Sequence, residues 1–125
     1  MTFPKQRCGV IGCFTPVEVV VNIDEKLGKV GNHEVGIKVP ANKFVYGVYI
    51  KNDKDDLAGD ATAKIGVNVG TTAELADLTV AGLKGKGKAK LIADALYVDA
   101  EADVYLTVAT ADLTAGKINV GVIYG

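Results

Sequence analysis

The sequence contains no serine and no tryptophan, and it has one arginine, one histidine and one glutamine in 125 residues. The lack of serine excludes a serine nucleophile, and a cysteine nucleophile at Cys8 or Cys13 would depend on His33 as its base. Neighbouring residues of a strand point to opposite faces, so Glu34 is poorly placed to orient His33. Two thiols and one imidazole also fall short of the four ligands of a structural zinc site. We therefore expect neither an enzyme nor a bound metal or cofactor.

An excess of one charge and a long hydrophobic run are missing as well. Lysine and arginine number 14 against 15 acidic residues, a net charge of −1, so no global field attracts nucleic acid or an anionic membrane. Arg7 is the sole guanidinium, the group that most often contacts guanine and phosphate. No apolar stretch approaches the roughly 20 residues of a membrane span, and residues 1–7 do not resemble a signal peptide. The sequence predicts neither a nucleic-acid nor a membrane partner.

The remaining composition is that of one folded domain. Hydrophobic residues make up 49% of the chain and charged residues 23%, as in ordinary globular proteins. Two cysteines cannot supply the disulfide framework that replaces a core in small secreted domains. The domain must therefore be stabilised by a hydrophobic core.

Alternation of apolar and polar residues is the main structural pattern, and it is clearest over 61–69, where the odd positions are apolar. This period of two is typical of half-buried antiparallel strands. Further strands are predicted over 17–23, 35–39, 43–51, 104–108 and 118–124. Because 43–51 is apolar on both faces, it is expected to be central or to face another subunit.

Two segments are less regular. Thr71 and Glu74 have the spacing of a capping box, so 71–78 is predicted to form a short helix or turn. Alanine and leucine favour a helix over 89–102, but its apolar residues also alternate, and we predict a strand. The count of seven or eight short strands predicts an all-β fold, an antiparallel jelly-roll-like β-sandwich over residues 17–125.

Residues 1–16 are expected to form an extended arm that precedes the sandwich. Its prolines and glycines prevent an amphipathic helix, and its apolar side chains lack a local core, so they need a partner surface. The candidate contact residues of the arm are Phe3, Arg7, Val10, Ile11 and Phe14. Further candidate contact residues are Tyr46, Tyr49, Lys84, Lys86 and Lys88.

Three other features have simple interpretations beside functional ones. The acidic segment 52–60 does not follow the ligand order of an EF-hand and is expected to be a solvated loop, with weak calcium binding left open. The lysine run 84–90 lacks the Ser or Thr of a P-loop and is expected to be a solvated loop or a protected edge strand. A carbohydrate-binding module is the alternative function, and the tyrosines that would serve it are Tyr46, Tyr49, Tyr97 and Tyr105.

Four segments together resemble the small head decoration, or cement, proteins of tailed bacteriophages. They are 35–50, 61–70, 102–109 and 113–124, the last with a Thr-Ala-Gly-Lys turn before a strand that ends in tyrosine. The resemblance covers about residues 33–125. It implies a structural protein that binds the major capsid protein on the outer surface of the assembled head, and so a virion location. It also implies an oligomer. We expect a closed homo-oligomer, because 43–51 is apolar on both faces and because capsid sites lie on symmetry axes where closed rings fit, and a trimer is favoured over a dimer.

Overall fold

The computed structural model describes residues 15–52, 57–83 and 85–125, and for residues 93 and 94 the backbone alone. The strands are β1 (Thr15–Asn22), β2 (Gly31–Val39), β3 (Lys43–Lys51), β4 (Ala58–Gly59), β5 (Lys64–Val69), β6 (Thr72–Leu78), β7 (Gly87–Val98), β8 (Ala102–Ala109), β9 (Leu113–Ala115) and β10 (Lys117–Tyr124). One four-residue helix, α1 (Val80–Leu83), follows β6. No helix in the described ranges has the length and hydrophobicity to cross a membrane.

Eight of these strands form two four-stranded antiparallel sheets. Sheet A has the order β1-β10-β3-β7 and sheet B the order β2-β8-β5-β6, while β4 and β9 form a separate short pair. Four of the pairings nest inside one another along the chain: β5 with β6, β3 with β7, β2 with β8, and β1 with β10. A chain pairs in this nested way when one long hairpin is wrapped into two sheets, which is the connectivity of a jelly roll. The predicted fold class is confirmed.

The core lies between the two sheets and is built from alternate residues of each strand. In β10, Ile118, Val120 and Val122 are fully buried, while Asn119 between them is only half-buried. The buried set of sheet B includes Ile65, Val67, Val69, Val104, Leu106 and Val108. The odd positions expected to be apolar and buried in 61–69 are therefore confirmed from Ala63 onward, although β5 itself begins at Lys64.

The helix predicted over 71–78 is wrong, because these residues form edge strand β6. A two-residue turn with Gly70 at φ 60° joins β5 to β6, and Val69 pairs directly with Thr72. Pairing with β5 satisfies the backbone of β6, and Leu75 is buried, so tertiary pairing outweighs the local helical preference. Glu74 is also buried and does not cap a helix.

The other segments follow the predictions closely. The strand predicted over 89–102 is confirmed as far as Val98 by β7, but residues 99–101 are not part of a strand and connect it to β8, which begins at Ala102. As expected, β3 is central in sheet A, between β10 and β7. Strand β1 begins two residues earlier than expected, because Thr15 and Pro16 continue the antiparallel register with the end of β10.

Candidate interaction surface

The outer faces of the two sheets differ in chemistry. Four of the large apolar side chains exposed in the described residues lie on the outer face of sheet A: Val20 (57% exposed), Phe44 (43%), Leu91 (79%) and Tyr97 (48%). The outer face of sheet B carries polar residues, among them Asn32, Lys38, Lys64, Asn68 and Thr107. Large apolar side chains that are exposed on one face of a sandwich indicate a contact surface. We call the outer face of sheet A the A face.

An aromatic cluster occupies one end of the A face. Phe44 of β3 and Tyr97 of β7 are cross-strand partners with ring centroids 5.0 Å apart, and Tyr46 lies 6.3 Å from Phe44. The hydroxyl of Tyr97 donates a hydrogen bond of 2.8 Å to Oδ1 of Asn42, which fixes the ring. The register of β3 shifts between Val45 and Gly47 against β7. We refer to Phe44, Tyr46, Leu91 and Tyr97 as the aromatic cluster, since Leu91 pairs with Gly47 beside the rings.

A polar network centred on Glu18 of β1 lies beside the cluster on the same face. The Tyr49 hydroxyl donates to Oε1 of Glu18 at 2.5 Å, and the Asn119 amide donates to Oε2 at 2.6 Å. The Lys51 ammonium lies 3.2 Å from Oε1 and 5.7 Å from the centroid of the Tyr49 ring. Three strands are therefore joined across the A face by one carboxylate.

The ionisation of this network follows from its geometry. Hydrogen bonds from Tyr49 and Asn119 stabilise the charged form of Glu18 and lower its pKa, and the Lys51 ammonium acts in the same direction. Burial of the Tyr49 ring, with the hydrogen bond to the Glu18 carboxylate, raises the pKa of Tyr49 to about 12. At neutral pH the tyrosine is a neutral donor and the glutamate is an anionic acceptor.

Gly121 of β10 makes room for the Tyr49 ring. A Cβ at this position would overlap Cζ and Cε2 of Tyr49. No side chain fits there, so the ring can lie across β10 only because residue 121 is glycine.

Two lysines of the run, Lys88 and Lys90, lie on edge strand β7, in agreement with the protected-edge interpretation. Lys86 and Lys88 are exposed, whereas Lys90 pairs with the buried carboxylate of Glu74 on β6, at 3.6 Å. Because β6 and β7 are edge strands of opposite sheets, this ion pair bridges one open side of the sandwich. Lysines on an edge also disfavour pairing with another strand.

The predicted contact residues divide into two groups. Phe3, Arg7, Val10, Ile11, Phe14 and Lys84 lie outside the described residues, as do Cys8 and Cys13. Tyr46 and Tyr49 lie on the A face. Lys88 of β7 pairs with Ile50, whose side chain is in the core, so Lys88 lies on the other side of sheet A, and Lys86 directly precedes β7. The sequence reasoning missed Phe44 and Leu91 as contact candidates. The apolar character of 43–51 on both faces could have indicated Phe44, but nothing in the alternation of β7 distinguishes the exposed Leu91.

The other candidate sites are placed as follows. His33 is half-buried in β2, and its Nε2 lies 2.6 Å from the carbonyl oxygen of Lys29.

Asp60, at the end of the acidic segment, accepts hydrogen bonds from the backbone and hydroxyl of Thr62; residues 53–56 lie outside the described residues. Of the four tyrosines in the carbohydrate hypothesis, Tyr105 lies on the outer face of sheet B and so cannot share one site with the other three. Among the described residues, no group of three or more His, Cys, Asp or Glu side chains could hold a metal ion.

Comparisons with known proteins find similarity at the level of structure. No protein-family model matches the chain, and no curated protein sequence matches it significantly. A chain in the cyanophage Pam1 capsid has a TM-score of 0.61 and 20% identity, with 89% of this chain and 83% of that chain covered. A chain in the Ralstonia phage GP4 capsid has a TM-score of 0.55 and 15% identity, covering 90% and 83%. A chain in the Helicobacter pylori bacteriophage KHP30 capsid has a TM-score of 0.53 and 16% identity, covering 89% and 91%. At these identities the likeness shows the shared fold, in chains of similar length.

Proposed function

We propose that this protein is a small decoration, or cement, protein that binds the outside of an assembled bacteriophage head and stabilises it. The observation that carries the proposal is the fold, which is shared almost end to end with similarly sized chains from three phage capsid structures. The resemblance of residues 33–125 to decoration proteins is an independent reason for the same assignment. A fold alone does not define function, so the character of the surface must agree.

The two outer faces of the sandwich are consistent with a protein that works by contact. The A face exposes apolar and aromatic side chains that favour burial against protein, while the outer face of sheet B is polar and suited to solvent. Aromatic residues are enriched at protein interfaces because each one buries a large area with few rotatable bonds. We propose that the major capsid protein and further copies of this chain are the partners.

The mechanism that we propose is linkage by mass action. A protein that binds the assembled lattice more tightly than the free coat subunit lowers the free energy of the shell relative to its parts. A closed homo-oligomer, with a trimer favoured, would hold several such contacts together and raise the attachment strength above that of each contact alone. Light scattering at high protein concentration measures this oligomer; a monomer both in solution and on heads contradicts it.

The experiment that tests the function compares heads produced with and without this chain. We expect the purified protein to co-sediment with heads that lack it, to be labelled by antibody on their exterior, and to raise the temperature at which they release DNA. The free coat subunit is the matched control and should not co-sediment with the protein. Heads that bind none of it, or bind it without any gain in stability, would contradict the proposal.

A further inference from the structure

We propose that residues 1–14 of one copy of this chain lie on the aromatic cluster of a second copy, so that the subunits of the oligomer exchange arms. The inference rests on the homo-oligomer of the proposed function and not on attachment to a head. The surface to be covered is Phe44, Tyr46, Leu91 and Tyr97 on the A face, of which Leu91 is the most exposed.

The place where β1 begins supports this occupant. Thr15 pairs with Tyr124, and Tyr124 pairs with Val45, the residue after Phe44. Thr15 is therefore one cross-strand row from the Phe44–Tyr97 pair, at one end of sheet A. Because β1 runs from this end toward Asn22, the chain enters sheet A at the end that carries Phe44 and Tyr97 and not at the opposite end.

The length of the preceding segment favours a second copy over the chain's own face. Strands in a sheet are about 4.8 Å apart, so β3 lies only about 10 Å from β1 across β10. Phe3 is 12 residues before Thr15, a reach of about 40 Å when extended, whereas a domain of this size is about 35 Å across. If the segment covered only the aromatic cluster of its own chain, about 10 Å from β1, an apolar residue as far from Thr15 as Phe3 would not be needed.

The chemistry of the segment matches the cluster. Its apolar side chains, Phe3, Val10, Ile11 and Phe14, are separated by prolines and glycines, which permit an extended course across another surface. Exchange of identical segments between protomers creates a closed and symmetric interface from one sequence. The cluster supplies the apolar surface that these residues need in order to leave water.

The only two cysteines of the chain, Cys8 and Cys13, lie in this segment and can report its position. We would co-express two full-length forms with different tags: the natural chain, and an acceptor with Cys8→Ala, Cys13→Ala and Ala89→Cys. Ala89 is exposed on the A face next to Tyr49 and two residues before Leu91. A short bismaleimide should then give a covalent dimer that carries both tags and is linked through Cys8 or Cys13.

The matched acceptor carries Ala73→Cys in place of Ala89→Cys. Ala73 is exposed and pairs with Asn68 on the outer face of sheet B, so its yield of mixed dimer should be at least tenfold lower. Equal yields from the two acceptors would overturn the proposal. A further variant carries Ala89→Cys in a chain that keeps Cys8 and Cys13. A cross-link within that one chain would also overturn the proposal, because the arm would then cover the aromatic cluster of its own chain.

A second variant tests the cluster without cross-linking. Leu91→Asp in the full chain should reduce the oligomer fraction at least fivefold by light scattering, while Ala73→Asp should leave it unchanged. An unchanged oligomer with Leu91→Asp would contradict the proposal. These assays use no heads, so a protein that exchanges arms but does not co-sediment with heads would refute the proposed function alone.

Discussion

Tyr49 and Glu18 are joined by a hydrogen bond on the A face. At the scale of single residues, the ionisation of these two groups predicts how the stability of the fold depends on pH. Folded Tyr49 has a pKa of about 12, against about 10 for an unfolded tyrosine. The stabilisation that its hydrogen bond contributes is therefore fully present below pH about 10 and is lost as the pH rises to about 12. For Glu18 the pH dependence has the opposite sign. Because its pKa is lowered in the folded protein, Glu18 stabilises the fold at pH values above its unfolded pKa of about 4.3, and this stabilisation is lost as the pH falls into the acid range.

We expect Tyr49→Phe to remove the loss of stability that the natural protein shows between pH about 10 and about 12. At pH 8 the natural protein should be more stable than the variant by about 1 kcal/mol, less than the full shift implies because the half-buried ring is screened by solvent. The difference should shrink as the pH approaches 12. Denaturant unfolding across this range measures the change, and absorbance titration should show one late-ionising tyrosine that Tyr49→Phe abolishes. A constant difference between the proteins at all pH values would contradict the assignment.

Gly121 carries a second residue-scale prediction, because it leaves space for the Tyr49 ring. Gly121→Ala should destabilise the fold by about 1–3 kcal/mol, the range for overpacking, since the ring must leave its position and give up Glu18. In a Tyr49→Ala background the same change meets no ring and should cost much less. Urea unfolding of the four proteins gives the coupling energy. If Gly121→Ala lowered the free energy of unfolding equally in both backgrounds, the Tyr49 ring would not be what requires glycine at residue 121.

At the scale of elements, strand β6 depends on β7 through the Glu74–Lys90 ion pair. Lys90→Met leaves a buried carboxylate without its ammonium partner and should cost about 1–2 kcal/mol, since the lysine end of the pair is half exposed to solvent. The double change Glu74→Gln with Lys90→Met should recover part of this loss. Lys88→Met is the control, because Lys88 is exposed on the same strand. Chemical unfolding measures all four proteins, and equal effects at 88 and 90 would contradict a bridging role.

At the scale of the whole molecule, the arm should decide attachment and leave the sandwich intact. Deletion of residues 2–14 should preserve the β-rich circular dichroism spectrum and weaken binding to heads by roughly 100-fold. Each fully buried apolar side chain of the arm contributes about 1.5–3 kcal/mol to the contact between copies, and ordering of the arm offsets much of that total. Without this contact the oligomer no longer joins several attachments to the head, so its binding weakens. Co-sedimentation with heads over a range of protein concentrations measures the affinity.

A full-length protein with Phe3→Asn and Phe14→Asn is the control for deletion, because it keeps the chain length and changes only two apolar side chains. It should bind heads more weakly than the natural protein and more tightly than the truncated one. If the truncated protein decorates heads as tightly as the full chain, the arm is a passive tail.

The sequence by itself determined the fold class and the inward side of most strands. Alternation with a period of two places a side chain on one face or the other whatever the strand pairs with, so the buried residues of β5, β8 and β10 could be predicted locally. The same reasoning failed over 71–78, because the spacing of Thr71 and Glu74 suits a helix cap as well as a strand. Pairing with β5 and the ion pair with Lys90 decided between the two.

Only the tertiary structure decided which outward residues act together. Phe44 and Tyr97 are 53 positions apart in sequence and lie opposite each other because β3 pairs with β7. Glu18 and Asn119 meet because the nested pairing of the jelly roll brings the first strand beside the last. A local pattern shows that a residue faces outward but carries no information about its neighbours across a sheet, since these depend on strand order and register, which are properties of the folded chain.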